Sequence, residues 1–277
     1  MITAWIFVFG ACIGSFLNVV IYRLPRGESV VHPRSHCRCG VPIAWYDNIP
    51  ILSWFILRGR CRHCKEAFSF RYPLVELGTA LVFVGLWHSQ PFLPSLAFMA
   101  FACGMIAAAV IDWDTMEIPD RFSIGGMLLG LLLSAFIPEI HGIVADQTFA
   151  IGSLLSLTQS LQGALLGSGL MLWIAVIAEK VLGKEAMGFG DVKLMGAIGA
   201  FCGWQGAVFA LFGGAFIGLA LLLPYLLINK SKDASRPTLA GLRMPFGPAL
   251  VLGSLLYLIF FQPYVDAYFE PFQNLFN

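Results

Sequence analysis

Two carboxylates stand where a carboxylate is costly. Asp191 follows Gly188-Phe189-Gly190 at the mouth of an apolar stretch, and Asp112 closes another apolar stretch far upstream. An ionisable side chain at the edge of a bilayer-spanning segment costs free energy and by default marks a functional site. Two carboxylates that can share a proton suit an aspartyl protease: one takes a proton from an attacking water while the other donates to the developing oxyanion. Glycines ahead of Asp191 would let an extended peptide come close to the backbone. A plainer reading is open for each. Asp112, Asp114, Glu117 and Asp120 share one polar stretch, and any of them could simply be solvated. Asp191 could be a first-turn acid favoured by the helix dipole, with Lys193 as its countercharge.

A second group is Cys37, Cys39, Cys61 and Cys64, arranged as Cys-x-Cys and Cys-x-x-Cys within 28 residues. Four thiols suit a tetrahedral zinc ion, and in a reducing compartment two structural disulfides are disfavoured. Four unliganded thiols are the alternative. His32, His36 and His63 stand near enough in sequence to substitute as ligands. Cys12, Cys103 and Cys202 fall inside apolar stretches and read as small buried hydrophobes.

The elements that must position these groups are membrane helices. Of 277 residues, 58% are hydrophobic and only 12% charged, and uncharged runs of near-bilayer length recur. The expected fold is an all-α polytopic membrane protein of about eight spans: 2 to 22, 73 to 88, 95 to 111, 122 to 138, 161 to 180, 193 to 205, 206 to 228 and 246 to 262. The pair after Lys193 needs a tight turn at Gly203-Trp204-Gln205-Gly206, because 36 uncharged residues barely suffice for two crossings. The first run lacks a preceding Lys or Arg, so it reads as a retained span and not as a signal peptide. Residues 1 to 22 thus form a first membrane helix, 23 to 72 a small cysteine-rich loop domain, and 73 to 277 a multi-helix domain carrying the aspartates.

Charge placement orients the spans. With alternating crossings, the loops 23 to 72, 112 to 121, 181 to 192 and 229 to 245, with their abutting helix ends, hold all 17 Lys and Arg, nine of them between Arg23 and Arg71. The opposite loops hold only acids. The positive-inside rule therefore puts the cysteine loop and both aspartates on the cytoplasmic side and the N-terminus outside. Within the cysteine loop, Trp45, Tyr46, Trp54 and Phe55 form either a small core or an interfacial belt, and Arg58, Arg60, Arg62 and Lys65 either meet headgroups or follow the positive-inside bias. The basic block carries no nucleic-acid motif, and Gly10 to Gly14 reads as a helix-packing pair.

Several motifs in order carry a resemblance: Gly14-Ser15-Phe16-Leu17-Asn18 through Arg23-Leu24-Pro25, Asp47-Asn48-Ile49-Pro50-Ile51-Leu52-Ser53-Trp54, Arg71-Tyr72-Pro73-Leu74-Val75-Glu76, Asp112-Trp113-Asp114-Thr115 with Ile118-Pro119-Asp120, Glu185 through Leu194, and Pro245-Phe246-Gly247-Pro248. Over nearly its whole length the chain resembles the bacterial type IV prepilin peptidases, which are GxGD-class membrane aspartyl proteases. The resemblance implies that Asp112 and Asp191 are catalytic and that Asp114 and Asp120 are supporting. It implies substrates among type IV prepilins or type II secretion pseudopilins, an inner-membrane location, and N-methylation of the new N-terminus with S-adenosylmethionine, through residues it does not identify. Glu28 and Glu76 are acids that could face a cationic cofactor or pair with arginines. The chain departs from the family's two Cys-x-x-Cys knuckles in its first pair, and its outward loop, 139 to 160, is long for the family. The competing readings are a transporter using the acids as a proton or cation relay, and a GxGD protease with other substrates.

Overall fold

The computed structural model describes residues 1–37, 39–143, 148–183, 187–229 and 245–273. Lys230, Lys232, Arg236 and Arg243, on which part of the charge argument rests, lie outside the described residues, as do Glu185 and Asp146. Among the described residues the regular structure is helical, with two isolated β-bridges. Two compact units divide at Ala107.

The first unit holds α1 (Ile2–Arg23), the short α2 (Leu52–Ile56), α3 (Arg71–Ser89) and most of α4 (Phe92–Thr115). Helix α1 is one uncharged run up to Arg23, about 33 Å at 1.5 Å per residue, enough for a hydrocarbon core. It ends where Pro25 and a left-handed Gly27 (φ 69°) turn the chain. α1 and α3 run antiparallel: Thr3 Oγ1 meets His88 Nε2 at 3.3 Å at one end, and Asn18 Nδ2 donates to the Tyr72 carbonyl at 3.1 Å at the other. Their axes close on Gly10 and Gly14, where an added Cβ would sit 2.8 Å from Ala80 Cα and 2.6 Å from Glu76 Cα. The expected packing role of this glycine pair is met.

The second unit comprises α5 (Asp120–Phe136), α6 (Phe149–Leu182), α7 (Phe189–Asn229), α8 (Gly247–Leu256) and α9 (Gln262–Gln273), the last two joined by a π-turn at Tyr257–Phe261. Helix α6 is inside-out by the standard of water-soluble proteins. Gly152, Ser156, Ser160, Gly163 and Gly167 are buried, while Leu154, Leu161, Leu165, Leu172 and Trp173 face outward. Small residues let backbones approach where lipid removes the hydrophobic drive between helices. The Ser160 hydroxyl donates to the Ala200 carbonyl at 2.7 Å across that crossing, and Gly163 packs on Gly199.

Among the described residues, five helical segments are long and apolar enough to cross a membrane: Ile2–Arg26, Phe92–Thr115, Phe149–Leu182, Phe189–Ala220 and Gly247–Pro271. The chain is a multi-pass membrane protein. α3 and α5 stand near two further expected spans but are not among the five. The expected pair after Lys193 is one element, α7, interrupted by a non-helical Gly203 (φ 67°, ψ −179°) within the Gly203 to Gly206 stretch expected to turn.

The stretch 139 to 160, expected as a loop, is different. Pro138–His141 forms a single 3-10 turn, and α6 already begins at Phe149. His141 turns inward: its Nε2 meets Ser134 Oγ at 3.1 Å, and burial lowers its pKa to about 4, which keeps the ring neutral.

Candidate active site

The end of α4 is built around Asp112. Met116 closes the helix in a left-handed conformation (φ 57°), its N–H donating to the Asp112 carbonyl at 2.8 Å, and Pro119 then sends the chain extended into α5. Of the four acids in this stretch, Asp112 alone is buried, at 5% exposure; Asp114, Glu117 and Asp120 are exposed. Burial of one carboxylate among solvated neighbours separates it from the plain reading, because a buried charge costs several kcal/mol unless something compensates it.

Asp191 lies in the first turn of α7, at 8% exposure, with its own N–H on the Gly188 carbonyl at 3.2 Å. Gly190 matters for approach: a Cβ there would be 3.3 Å from Ile118 Cβ, so the glycine lets the 116 to 119 turn pack against the start of α7. Asp112 and Asp191 line the same cavity of about 460 Å³, whose wall also includes Ile118 and Gly190. Asp191 Oδ1 is buried and has no hydrogen-bond partner among the described residues.

Lys193 does not neutralise Asp191. Two residues apart on a helix, side chains point away from each other, and Lys193 Nζ instead reaches Asp120 Oδ1 at 2.7 Å on the cavity rim. The plainer reading of Asp191, a first-turn acid with Lys193 as its countercharge, therefore loses its ion pair.

A third segment enters that the sequence gave no reason to assign. The Gly247 N–H donates to Asp112 Oδ2 at 3.1 Å, and a Cβ at Gly247 would lie 2.6 Å from that oxygen. The residue opens α8, where the first backbone N–H groups have no helical partner. The signal available was the Pro245-Phe246-Gly247-Pro248 motif at the head of an apolar run, but nothing in its spacing pointed to a carboxylate 135 positions away.

The first unit carries the cysteines. Their Sγ atoms all lie within 4.8 Å of one another, and Cys37 and Cys64 are 3.5 Å apart. A tetrahedral ion with Zn–S bonds of about 2.3 Å separates its sulfurs by about 3.8 Å, so the set fits a zinc ion without recruiting His32, His36 or His63. The bridges His36 to Pro42 and Arg60 to Ala67 bracket the two pairs. Each bracket is a knuckle: Cys37 N–H donates to the Val41 carbonyl at 3.0 Å, and Cys61 N–H to Glu66 at 2.8 Å. The shortened first pair is accommodated because Gly40 takes φ 80°. The backbone N–H groups of Cys64 and then His63 draw the Cys61 thiol down to about 7, whereas burial and neighbouring thiols leave Cys37 and Cys64 shifted upward.

Around the knuckles, Trp54 is the small core: its ring meets Phe55 and Phe70 edge-on, with centroids 5.3 and 5.0 Å away, and its indole donates to the Phe68 carbonyl. Trp45 and Tyr46 are exposed. Arg62 pairs with Asp47, and that guanidinium holds the Asp47 carboxyl below the usual carboxylate range.

Comparison with known proteins agrees with this division. Residues 8–89 match the family described as the bacterial Peptidase A24 N-terminal domain, and residues 99–223 match the type IV leader peptidase family. A prepilin leader peptidase/N-methyltransferase of Aeromonas hydrophila is 36% identical over 289 residues, covering 92% of this chain and 89% of that protein. A type 4 prepilin-like proteins leader peptide-processing enzyme of Escherichia coli is 38% identical, covering 89% of both chains. A prepilin leader peptidase/N-methyltransferase of Myxococcus xanthus is 37% identical over 80% of this chain, which spans 64% of that longer relative. No solved structure matches the chain.

Proposed function

We propose that this chain, which belongs to the type IV leader peptidase family, is a membrane aspartic endopeptidase that removes the basic leader from type IV prepilins or type II secretion pseudopilins and N-methylates the new N-terminus. The observation that carries the peptidase reading is the burial of Asp112 and Asp191 on one cavity, 79 positions apart in sequence. Asp112 and Asp191 are the catalytic pair, carrying one proton between them because two close carboxylates do not both ionise comfortably. The ionised member takes a proton from water as its oxygen attacks the scissile carbonyl, and the protonated member donates to the carbonyl oxygen. Proton return to the departing amine completes the cut.

Gly247 positions the pair by holding Asp112 Oδ2, and Gly190 lets the turn that carries Ile118 pack close beside Asp191. Both aspartates sit within a turn of a helix end, so a substrate helix held in the bilayer presents its leader junction at their depth. The Lys and Arg distribution supports a cytoplasmic face for this site in the bacterial inner membrane, with the N-terminus outside.

Residues 23 to 72 act as a structural zinc domain between the first helix and the membrane domain of 73 to 277, with Cys37, Cys39, Cys61 and Cys64 as ligands. When bound, zinc supplies a cross-link between the knuckles and takes no part in hydrolysis. S-adenosylmethionine, when bound, supplies the methyl group.

A prepilin co-expressed with this protein and recovered for mass spectrometry should lose its leader and gain the mass of one methyl group at the new N-terminus. An intact prepilin would sink the peptidase reading, and a trimmed but unmethylated product would remove the transferase alone. Gly247→Ala is expected to lower kcat on the order of a hundredfold through displacement of the Asp112 carboxylate, the size of effect a small misplacement of a catalytic group produces. Steady-state cleavage of purified prepilin in detergent measures it, and unchanged kcat would exclude the positioning role.

A further inference from the structure

Helix α2 turns its apolar side outward. Leu52, Phe55 and Ile56, at the spacing that shares one face of a helix, are 59, 57 and 68% exposed, while Ser53 is buried and Trp54 packs on Phe70. Its neighbours continue the pattern. Ser53 Oγ accepts the Ile49 N–H at 2.8 Å and donates to the Tyr46 carbonyl at 3.2 Å, which fastens the Trp45–Asp47 turn to α2 with Trp45 and Tyr46 exposed. So short a helix is not stable alone in water, and the described residues leave its outer face open.

The anchors of α2 lie below the end of α1. The Ile51 N–H donates to Glu76 Oε2 at 2.7 Å, and the Glu76 backbone packs against Gly14, which stands nine residues, about 13 Å along the helix, short of Arg23. A glutamate side chain and one hydrogen bond, even stretched toward the start of α3, do not span that distance. At its other end α2 is held by Trp54, whose ring lies 5.0 Å from that of Phe70 at the cap of α3. Two residues on, the Tyr72 carbonyl accepts from Asn18, itself five residues short of Arg23. Both anchors fall within the uncharged run of α1, which is long enough to cross a bilayer.

A strained turn keeps α2 there. Ile51 sits at φ 65° and ψ −55°, with the Leu52 N–H on the Pro50 carbonyl at 2.6 Å, a γ-turn that is costly for a β-branched residue. It persists because Glu76 and Ser53 hold the chain around it.

Charge selects the occupant of the open face. Arg58, Arg60, Arg62 and Lys65 follow α2 closely; Arg62 pairs with Asp47, whereas Arg58 and Arg60 are exposed and form no side-chain ion pair among the described residues. A second copy related by a two-fold axis would bring these cations against themselves. A bilayer instead offers hydrocarbon to Leu52, Phe55 and Ile56, an interface to Trp45 and Tyr46, and anionic headgroups to the arginines.

We infer that α2 is an interfacial membrane helix, its Leu52, Phe55 and Ile56 face seated in the lipid leaflet at the Arg23 end of α1, and that it anchors the cysteine domain to the bilayer. The loop aromatics then divide: Trp54 is core, and Trp45, Tyr46 and Phe55 are interfacial. The inference is independent of the peptidase and methyl-transfer readings.

The full-length protein, reconstituted in vesicles of phosphatidylethanolamine and phosphatidylglycerol, can be labelled with a photoactivated aryl diazirine that partitions into hydrocarbon. Peptide mass spectrometry then maps the label, each residue being normalised to its labelling in the unfolded chain. Leu52, Phe55 and Ile56 should take up label to within a few-fold of Leu165 on the outward face of α6, and at least tenfold above His63, which is exposed on the second knuckle. Labelling of the three no higher than that of His63 overturns the inference. Protection of all three that is relieved by diluting the protein in excess lipid identifies a second copy as the occupant and overturns it equally.

Discussion

Asp191→Asn protein should cut a purified prepilin more slowly by on the order of 10³-fold or more, because it removes one of two groups that must trade a proton during hydrolysis. The substitution keeps the side chain's size, so packing around the start of α7 is preserved, and the carboxamide cannot accept the proton of the attacking water. Asp112→Asn is expected to match it, since a pair acting as one unit fails when either member fails. The discriminating comparison is Asp114→Asn. Asp114 is exposed and is not among the residues lining the cavity, so its loss should change the rate by only a few-fold. A dead Asp114→Asn beside an active Asp112→Asn would reverse the assignment within the upstream motif. Thermal unfolding in detergent separates chemistry from collapse: all three variants should melt near the parent.

That comparison turns on a distinction the sequence alone could not make. Asp112, Asp114 and Asp120 are interchangeable by composition and spacing, and only resemblance selected among them. Burial supplies a physical criterion: Asp112 is buried near the end of α4, while Asp114, two residues on and so on the opposite face of the same helix, and Asp120 are exposed. The cysteine cluster was legible for a simpler reason. Four thiols in 28 residues carry their chemistry in their identity, and the knuckle turns only had to bring them together.

Helix α6 shows where pattern reading went astray. Phe149 to Ser160 falls in the expected outward loop, 139 to 160, and its Gly, Ser, Thr and Gln are residues common in loops in water. In a bilayer the same residues at four-residue spacing, Gly152, Ser156 and Ser160, are a helix-packing stripe. The break in α7 was legible because length forced it: 36 uncharged residues had to turn somewhere, and Gly203 offered the φ that other residues resist. Gly247 was not legible, since a backbone N–H has no signature in the sequence until a helix start aims it.

Removing zinc should have a large local effect, and the reason lies in how little else holds the cysteine domain. Between α1 and α3 the described chain offers the short α2 at Leu52–Ile56, 3-10 turns at Leu24–Arg26 and Trp45–Asp47, two isolated bridges and a cluster around Trp54. So small a core does not fold unaided, whereas a structural zinc site contributes apparent binding energies of about 10–16 kcal/mol. The purified protein is expected to carry one zinc ion per chain, and Cys61→Ser to lose most of it. In the metal-loaded protein, Cys37, Cys39, Cys61 and Cys64 should resist alkylation and the segment should resist protease. Strong chelation should make all four thiols reactive and move the first proteolytic cuts into residues 24 to 70. Helix packing through Gly10 and Gly14 does not depend on the ion, so α1 and α3 should stay protected throughout. A metal-free protein with the same protease resistance would mean that the knuckles are held by hydrogen bonds and Trp54 packing alone, and the zinc assignment would fall.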